Sequence, residues 1–171
     1  MKFLVFSDSH GSSRQMQQVL RSRYKTLSGV LHLGDGTDEF EMLATLPEYK
    51  SLLFLSVCGN GEAYRPAELR PPMNRILTYE GVSLYLTHGH RENVSMGTEH
   101  LASIARQNGC TLALHGHTHI PRHLIDRGVS ESETAVEILC PGSIARPRAG
   151  AASFGVLELT NGQALAYWEE I

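Results

Sequence analysis

Residues 2–10 read KFLVFSDSH, an unbroken apolar run from Phe3 to Phe6 that ends in Ser-Asp-Ser-His. A short apolar run without polar alternation is what a strand covered on both faces requires. Ser12 and Ser13 follow, able to cap a helix, and Met16, Val19, Leu20 and Tyr24 then recur at helical spacing. The unit repeats. GVLHLG (29–34) gives a second strand, and Thr37 opens a short helix with Phe40, Leu43 and Leu46 on one side and Pro47 as its stop. LLFLSV (52–57) gives a third strand. This β-α-β-α-β order predicts an α/β fold with a parallel core and right-handed crossovers.

The pattern changes after residue 60. EAYRPAELRPPMN (62–74) is rich in proline and charge and reads as an excursion over the surface. RILTYEGVSLYLTHG (75–89) reads as two strands turning near Glu80-Gly81. A helix starts at about Thr98, carries Leu101, Ile104 and Ala105, and stops at Asn108-Gly109. The remainder is mostly strand: TLAL (111–114), HLID (123–126), AVEILC (135–140), SFGVLEL (153–159) and ALAYWEE (164–170). Asn161-Gly162 joins the last two as a hairpin turn. No internal repeat or linker divides the chain, so residues 1–171 are expected to form one domain.

Each strand of the core ends on polar side chains. The first delivers Asp8 and His10, the second Asp35 and Asp38, the third Asn60 and Glu62. The hairpin's second strand ends at Thr-His-Gly-His with His88 and His90, and the strand TLAL ends at His115-Gly-His-Thr-His119. Ligands of open α/β sheets gather outside the carboxyl ends of strands. Taken singly, each group has an ordinary reading: Asp8 as a helix cap, Gly34-Asp35-Gly36 and Asn60 as turns, His88 as a hydrogen-bonded core histidine. Five such segments bringing oxygen and nitrogen donors to one rim predict a metal site instead. Imidazoles mixed with carboxylates and an amide suit Mn²⁺, Fe²⁺, Zn²⁺ or Ni²⁺. Asp35, near the middle of the sheet, is the best candidate to bridge two ions, which such a carboxylate holds about 3.5–4 Å apart.

Composition narrows the function classes. A net charge of −3 and the lack of a basic stripe interleaved with aromatics argue against a duplex nucleic-acid partner. A small anionic substrate stays compatible, because metal ions supply local positive charge. No stretch has the length of a signal-peptide core or a membrane span, and the three cysteines form no CxxC pair. They read as small buried thiols, so the expected compartment is the cytoplasm.

The blocks SDSHG, GDGTD, GN, THGH and GHTH, in that order, resemble those of calcineurin-like metallophosphoesterases. The short chain and the later PGS (141–143) look most like the small YfcE-type phosphodiesterase branch. The resemblance implies a four-layer α-β-β-α sandwich, two mixed sheets flanked by helices, with two divalent metal ions per chain. Mn²⁺ is the first choice of metal, with Fe, Zn and Ni as alternatives. Carried over block by block, Asp8, His10, Asp35 and His119 would hold one ion, and Asp35, Asn60, His88 and His117 the other. A hydroxide bridging the ions would attack phosphorus in line, most readily in a phosphodiester, with phosphomonoesters as the near alternative. Asp38 would orient a ligand histidine or a metal-bound water, and Glu62 is a weaker candidate for similar work. His115 falls outside the ligand pattern, and His32 reads as a packed core residue.

Two positions depart from the family pattern. Gly61 stands where many members carry a histidine that protonates the leaving oxygen, which makes His90 a substitute for binding phosphate or donating the proton. Cys140 replaces an asparagine ahead of Pro141-Gly142-Ser143, a tight turn expected behind the site. Beyond it, Arg146 and Arg148 are candidates for a substrate phosphate, with Arg65 a weaker one. Relatives in eukaryotic cargo-sorting complexes use the fold as a protein-interaction scaffold, so a scaffold with a metal site is the rival class. The C-terminal hairpin offers a surface on which a second copy could pair.

Overall fold

A computed structural model describes all of residues 1–171. Its first sheet begins with β1 (Lys2–Phe6), β2 (Gly29–His32) and β3 (Leu53–Ser56), paired parallel in that order. Helices α1 (Arg14–Arg23) and α2 (Thr37–Ala44) make the two crossovers. The last hairpin, β9 (Ser153–Thr160) and β10 (Gln163–Glu170), closes onto the free side of β1 in antiparallel register, giving the order β10-β9-β1-β2-β3. The expected parallel core is present, within a mixed sheet.

The second sheet has the order β4-β5-β6-β8-β7. It comprises β4 (Asn74–Tyr79), β5 (Val82–Thr87), β6 (Leu112–Leu114), β7 (Pro121–Asp126) and β8 (Val136–Pro141). β5, β6 and β8 run parallel, and the outer strands β4 and β7 pair antiparallel to β5 and β8. Helix α3 (Glu99–Gln107) links β5 to β6.

Three apolar layers hold these parts in order. Phe3, Val5, Leu31 and Leu33 of the first sheet interleave with Leu84, Leu86, Leu114 and Leu139 of the second. The opposite face of the first sheet, Leu4, Phe6 and Val30, packs on Met16, Val19 and Leu20 of α1 and Phe40 and Leu43 of α2. The far face of the second sheet packs Tyr85, Ala113 and Ile138 against Leu101, Ala102 and Ala105 of α3. Alternate residues of β1 therefore serve two different cores, which is why its sequence is apolar throughout. The result is the four-layer α-β-β-α sandwich.

Some boundaries differ from the sequence reading. α2 ends at Ala44, before Leu46, and Pro47 opens a short 3₁₀ turn, Pro47–Tyr49. The charged, proline-rich excursion is built from two more such turns, Asn60–Tyr64 and Ala67–Leu69. Asn161 and Gly162 both take positive φ, 49° and 80°, in the two-residue turn that joins β9 to β10. All three cysteines are free and buried. No helix is long and apolar enough to cross a membrane.

Candidate metal centre

The carboxyl ends of β1, β2, β3, β5 and β6 open on one rim of the sandwich. Donor atoms of Asp8, His10 and His119 lie within 4.8 Å of one another there, and so do those of Asp8, Asp35 and His88. His119 Nε2 stands 3.2 Å from Asp8 Oδ1 and 3.2 Å from His10 Nε2. Asp35 turns Oδ2 toward His10 Nε2 at 3.9 Å and Oδ1 toward His88 Nε2 at 3.6 Å. Asn60 joins through Oδ1, 3.1 Å from His88 Nε2. His117 presents its ring edge-on to His88, 5.1 Å between centroids, and His90 stands 5.4 Å from His88. Donor atoms of six of the seven expected residues therefore converge, with the rings of His117 and His90 packed beside them.

The hydrogen bonds fit this donor set to a cation. His88 Nδ1 donates to Leu33 O at 2.7 Å, and His119 Nδ1 donates to Arg146 O at 2.7 Å. Each neutral ring then aims a bare Nε2 lone pair inward, at Asn60 Oδ1 in one case and Asp8 Oδ1 in the other. Acceptor opposes acceptor in both places. Asp8 Oδ1 is moreover buried with no hydrogen-bond partner. A buried, orphaned carboxylate oxygen is costly unless a cation meets it. The Asp8 carboxylate raises the His119 pKa above the ordinary histidine value. Burial pushes the Asp8 carboxyl up, but His119, His88 and Ser7 outweigh it and hold the group below the usual carboxylate range.

Residues between the blocks hold the rim in register. Glu62 is buried and accepts backbone N–H bonds from Asp35 (3.0 Å), Gly36 (2.7 Å), Thr37 (3.1 Å) and Gly59 (2.6 Å). Burial raises its pKa, yet these four donors bring it below the usual range. One carboxylate thus caps α2 and ties the second block to the third. His32 accepts Gly34 N–H on Nδ1 at 3.2 Å, so its Nε2–H donates to Ser9 Oγ at 3.0 Å. Burial lowers its pKa to about 4. Ser9 Oγ in turn donates to Glu39 Oε1 at 2.7 Å, joining the first block to α2. His32 is a core residue, as expected, with a polar linking role that its strand position hid. Ser143 donates to Asp8 O at 2.8 Å, which puts the Pro-Gly-Ser turn directly behind the first ligand block.

Other expected residues lie further out. Asp38 touches no histidine. Its carboxylate accepts from Tyr64 and pairs with Arg65 at 3.3 Å, at the mouth of a cleft shared with His10 and Asp35. Arg65 is committed to Glu41 and Thr37 as well, so it is not free for a phosphate. Arg146 reaches His10 O at 3.4 Å, whereas Arg148 lines a neighbouring cavity with His115. Burial lowers the His90 pKa, and its buried Nδ1 has no partner.

Three comparisons place this geometry among known proteins. Residues 1–162 match the calcineurin-like phosphoesterase superfamily domain. The chain is 26% identical over 162 residues to a probable metallophosphoesterase, YsnB, of Bacillus subtilis, covering 94% of this chain and 86% of the relative. Its fold is similar to that of Vps29 of Entamoeba histolytica in complex with Zn²⁺, with a TM-score of 0.70, 20% identity, and 99% and 98% of the two chains covered. It is also similar to YfcE, a phosphoesterase from E. coli, with a TM-score of 0.61, 23% identity, and 92% and 88% covered. With the domain matched across nearly its whole length and the five blocks gathered on one rim, the chain belongs to the calcineurin-like phosphoesterase superfamily.

Proposed function

We propose that the chain is a metal-dependent phosphodiesterase working through two divalent ions. Asp8, His10, Asp35 and His119 would hold one ion, and Asp35, Asn60, His88 and His117 the other. The observation that carries this reading is the close approach of His119 Nε2 to Asp8 Oδ1 and of His88 Nε2 to Asn60 Oδ1, lone pairs that a cation between them would satisfy. Asp35 supports the bridging role by facing a different imidazole with each oxygen. Asp8 Oδ1 lies within 4.0 Å of Nε2 of both His10 and His88, so it also reaches both groups.

Two bound cations supply the charge that brings a water's pKa near neutrality and neutralises phosphoryl oxygens in the transition state. The chain's own groups orient the reactants. Nδ1–H bonds fix the His88 and His119 rings, and Glu62 keeps the Asp35 loop rigid. His90 stands beside His88 and His117, positioned to bind a phosphoryl oxygen or protonate the leaving oxygen. Arg146 and Arg148 are the candidates for further phosphate contacts, and Asp38 for a water at the cleft mouth. Mn²⁺ is the first metal to try, then Fe²⁺, Zn²⁺ and Ni²⁺.

The test is an assay of bis(4-nitrophenyl) phosphate against 4-nitrophenyl phosphate with that metal panel. Metal-dependent turnover that favours the diester is expected. A preference for the monoester would reverse the substrate class. Absence of turnover with every metal would favour the second reading, a protein-interaction scaffold that keeps a metal site.

A further inference from the structure

The loop that brings His117 and His119 to the donor cluster offers His115 and Thr118 to a different cavity, of about 220 Å³. None of the seven proposed metal ligands lines it. Ser95, Thr98, Arg122 and Arg148 complete its polar wall, and no acidic residue is among its lining. Neither guanidinium has a carboxylate within ion-pair distance; every ion pair in the molecule uses other cations. Two exposed arginines facing one cavity without counter-charge favour an anion there.

Helix α3 adds to the same potential. Thr98 is its N-cap, yet the threonine hydroxyl makes no capping bond, so the first-turn N–H groups keep no side-chain partner. The nine-residue helix directs the positive end of its dipole to this point. Glu99, the first helical residue, lines other surface clefts and not this one.

The third observation is His115. It is only 2% exposed and lines the cavity. Its Nδ1 donates to Gly116 O at 2.9 Å, and Nε2 has no partner in the protein. With the proton on Nδ1, the remaining nitrogen is an acceptor and calls for a ligand that donates. We propose that this cavity is a second anion site, built for a phosphate group carrying one hydroxyl. The guanidiniums and the α3 N-terminus take its anionic oxygens, and His115 Nε2 accepts its O–H. Arg148 N–H bonds His119 O at 3.1 Å, so the cavity shares its wall with the donor cluster. On the phosphodiesterase reading, on which this step rests, the site seats a further phosphate on the substrate's non-reacting arm. Free hydrogen phosphate shares the same chemistry.

Binding is tested first without metal, by titrating inorganic phosphate into the chelator-treated protein and following imidazole nitrogens by NMR. Saturable movement of His115 Nε2 is expected. Arg122→Gln, at an exposed position, should weaken it about tenfold, or about 1.4 kcal/mol. Sulfate, which lacks the hydroxyl near neutral pH, should bind more weakly than phosphate. No movement of His115 at tens of millimolar phosphate, or equal binding in the variant, would overturn the site. With metal restored, a nitrophenyl diester whose second arm ends in phosphate is compared with bis(4-nitrophenyl) phosphate. A lower KM for the first, lost in Arg122→Gln, identifies the substrate arm as ligand. Equal KM values with His115 still responding identify free phosphate. If neither diester is hydrolysed while His115 responds, the phosphodiesterase reading fails and the anion site stands.

Discussion

Five of the seven proposed ligands sit at positive φ: Asp8 (56°), His10 (44°), Asp35 (58°), His117 (69°) and His119 (59°). For a residue with a side chain this conformation costs about 1–2 kcal/mol, and it persists only where the surroundings enforce it. At Asp8 the enforcement is visible. Its N–H bonds Gly34 O at 3.0 Å, and Oδ2 accepts from Ser7 Oγ at 2.6 Å and His117 N at 3.1 Å. Strain of this kind leaves no mark in a sequence, so the ligands were legible as residue types at strand ends but their backbone was not. His10 gives a clean test, because it is partly exposed and the polar contacts of its ring go to Asp8, Asp35 and His119, all candidate ligands. His10→Asn, which tolerates positive φ, should leave the metal-free melting temperature unchanged or slightly raised. Wild-type protein with Mn²⁺ at about 100 times Kd should gain about 2.7 kcal/mol, and the variant should lose most of that gain. Equal metal-induced shifts in thermal melts would remove His10 from the ligand set. His90 has a different signature. If it protonates the leaving oxygen, His90→Ala slows alkyl esters more than nitrophenyl esters, and equal slowing in steady-state assays removes the acid role.

At the scale of elements, β1, β2 and β3 were readable because each is an apolar run leading into polar side chains, and their parallel order followed from the helices between them. The start of α2 at Thr37 was readable too, but its end at Ala44 and the 3₁₀ turns were not, and neither was the part Glu62 plays in capping that helix. Periodicity cannot show that a glutamate after the third strand will collect N–H groups from the second loop. Gly34 makes a related point: φ is +94°, and a Cβ there would lie 2.6 Å from Gly59 N and 2.9 Å from His88 Nδ1. The loops after β2, β3 and β5 touch through that missing side chain. Glu62→Gln keeps the volume but turns an amide toward N–H groups, leaving buried donors unmet. A stability loss of about 2–4 kcal/mol is expected, with weakened metal binding, from denaturant titrations with and without Mn²⁺. A loss under about 0.5 kcal/mol, the range of ordinary surface substitutions, would show that the carboxylate is not what joins these loops.

For the molecule as a whole, the four layers were implied by the resemblance in the block order and are explained by β1, whose two faces enter different cores. The buried polar network that couples these layers to the rim contributes to the pH dependence of folding, alongside His115, whose pKa burial also lowers to about 4. Burial holds the His32 pKa in the folded chain at about 4 against an ordinary value of 6.5. The unfolded chain therefore binds the extra proton first, and stability falls as pH drops through that interval. Taken alone, this difference amounts to about 3 kcal/mol at the acid end. Glu62 acts in the same direction at lower pH. Its depressed pKa contributes stability above the usual carboxylate range and loses it as the pH falls through the folded value. Urea midpoints measured in chelator should rise from pH 4 to 6.5. Replacing His32 with glutamine should flatten that slope, and an unchanged slope would contradict it.

The claim beneath all of this is that side chains from five separate loops share two cations. Anomalous diffraction from crystals soaked in Mn²⁺ measures that directly. Two peaks are predicted, one among Asp8, His10, Asp35 and His119 and the other among Asp35, Asn60, His88 and His117. A rim without anomalous density, or a lone peak away from Asp35, would contradict it.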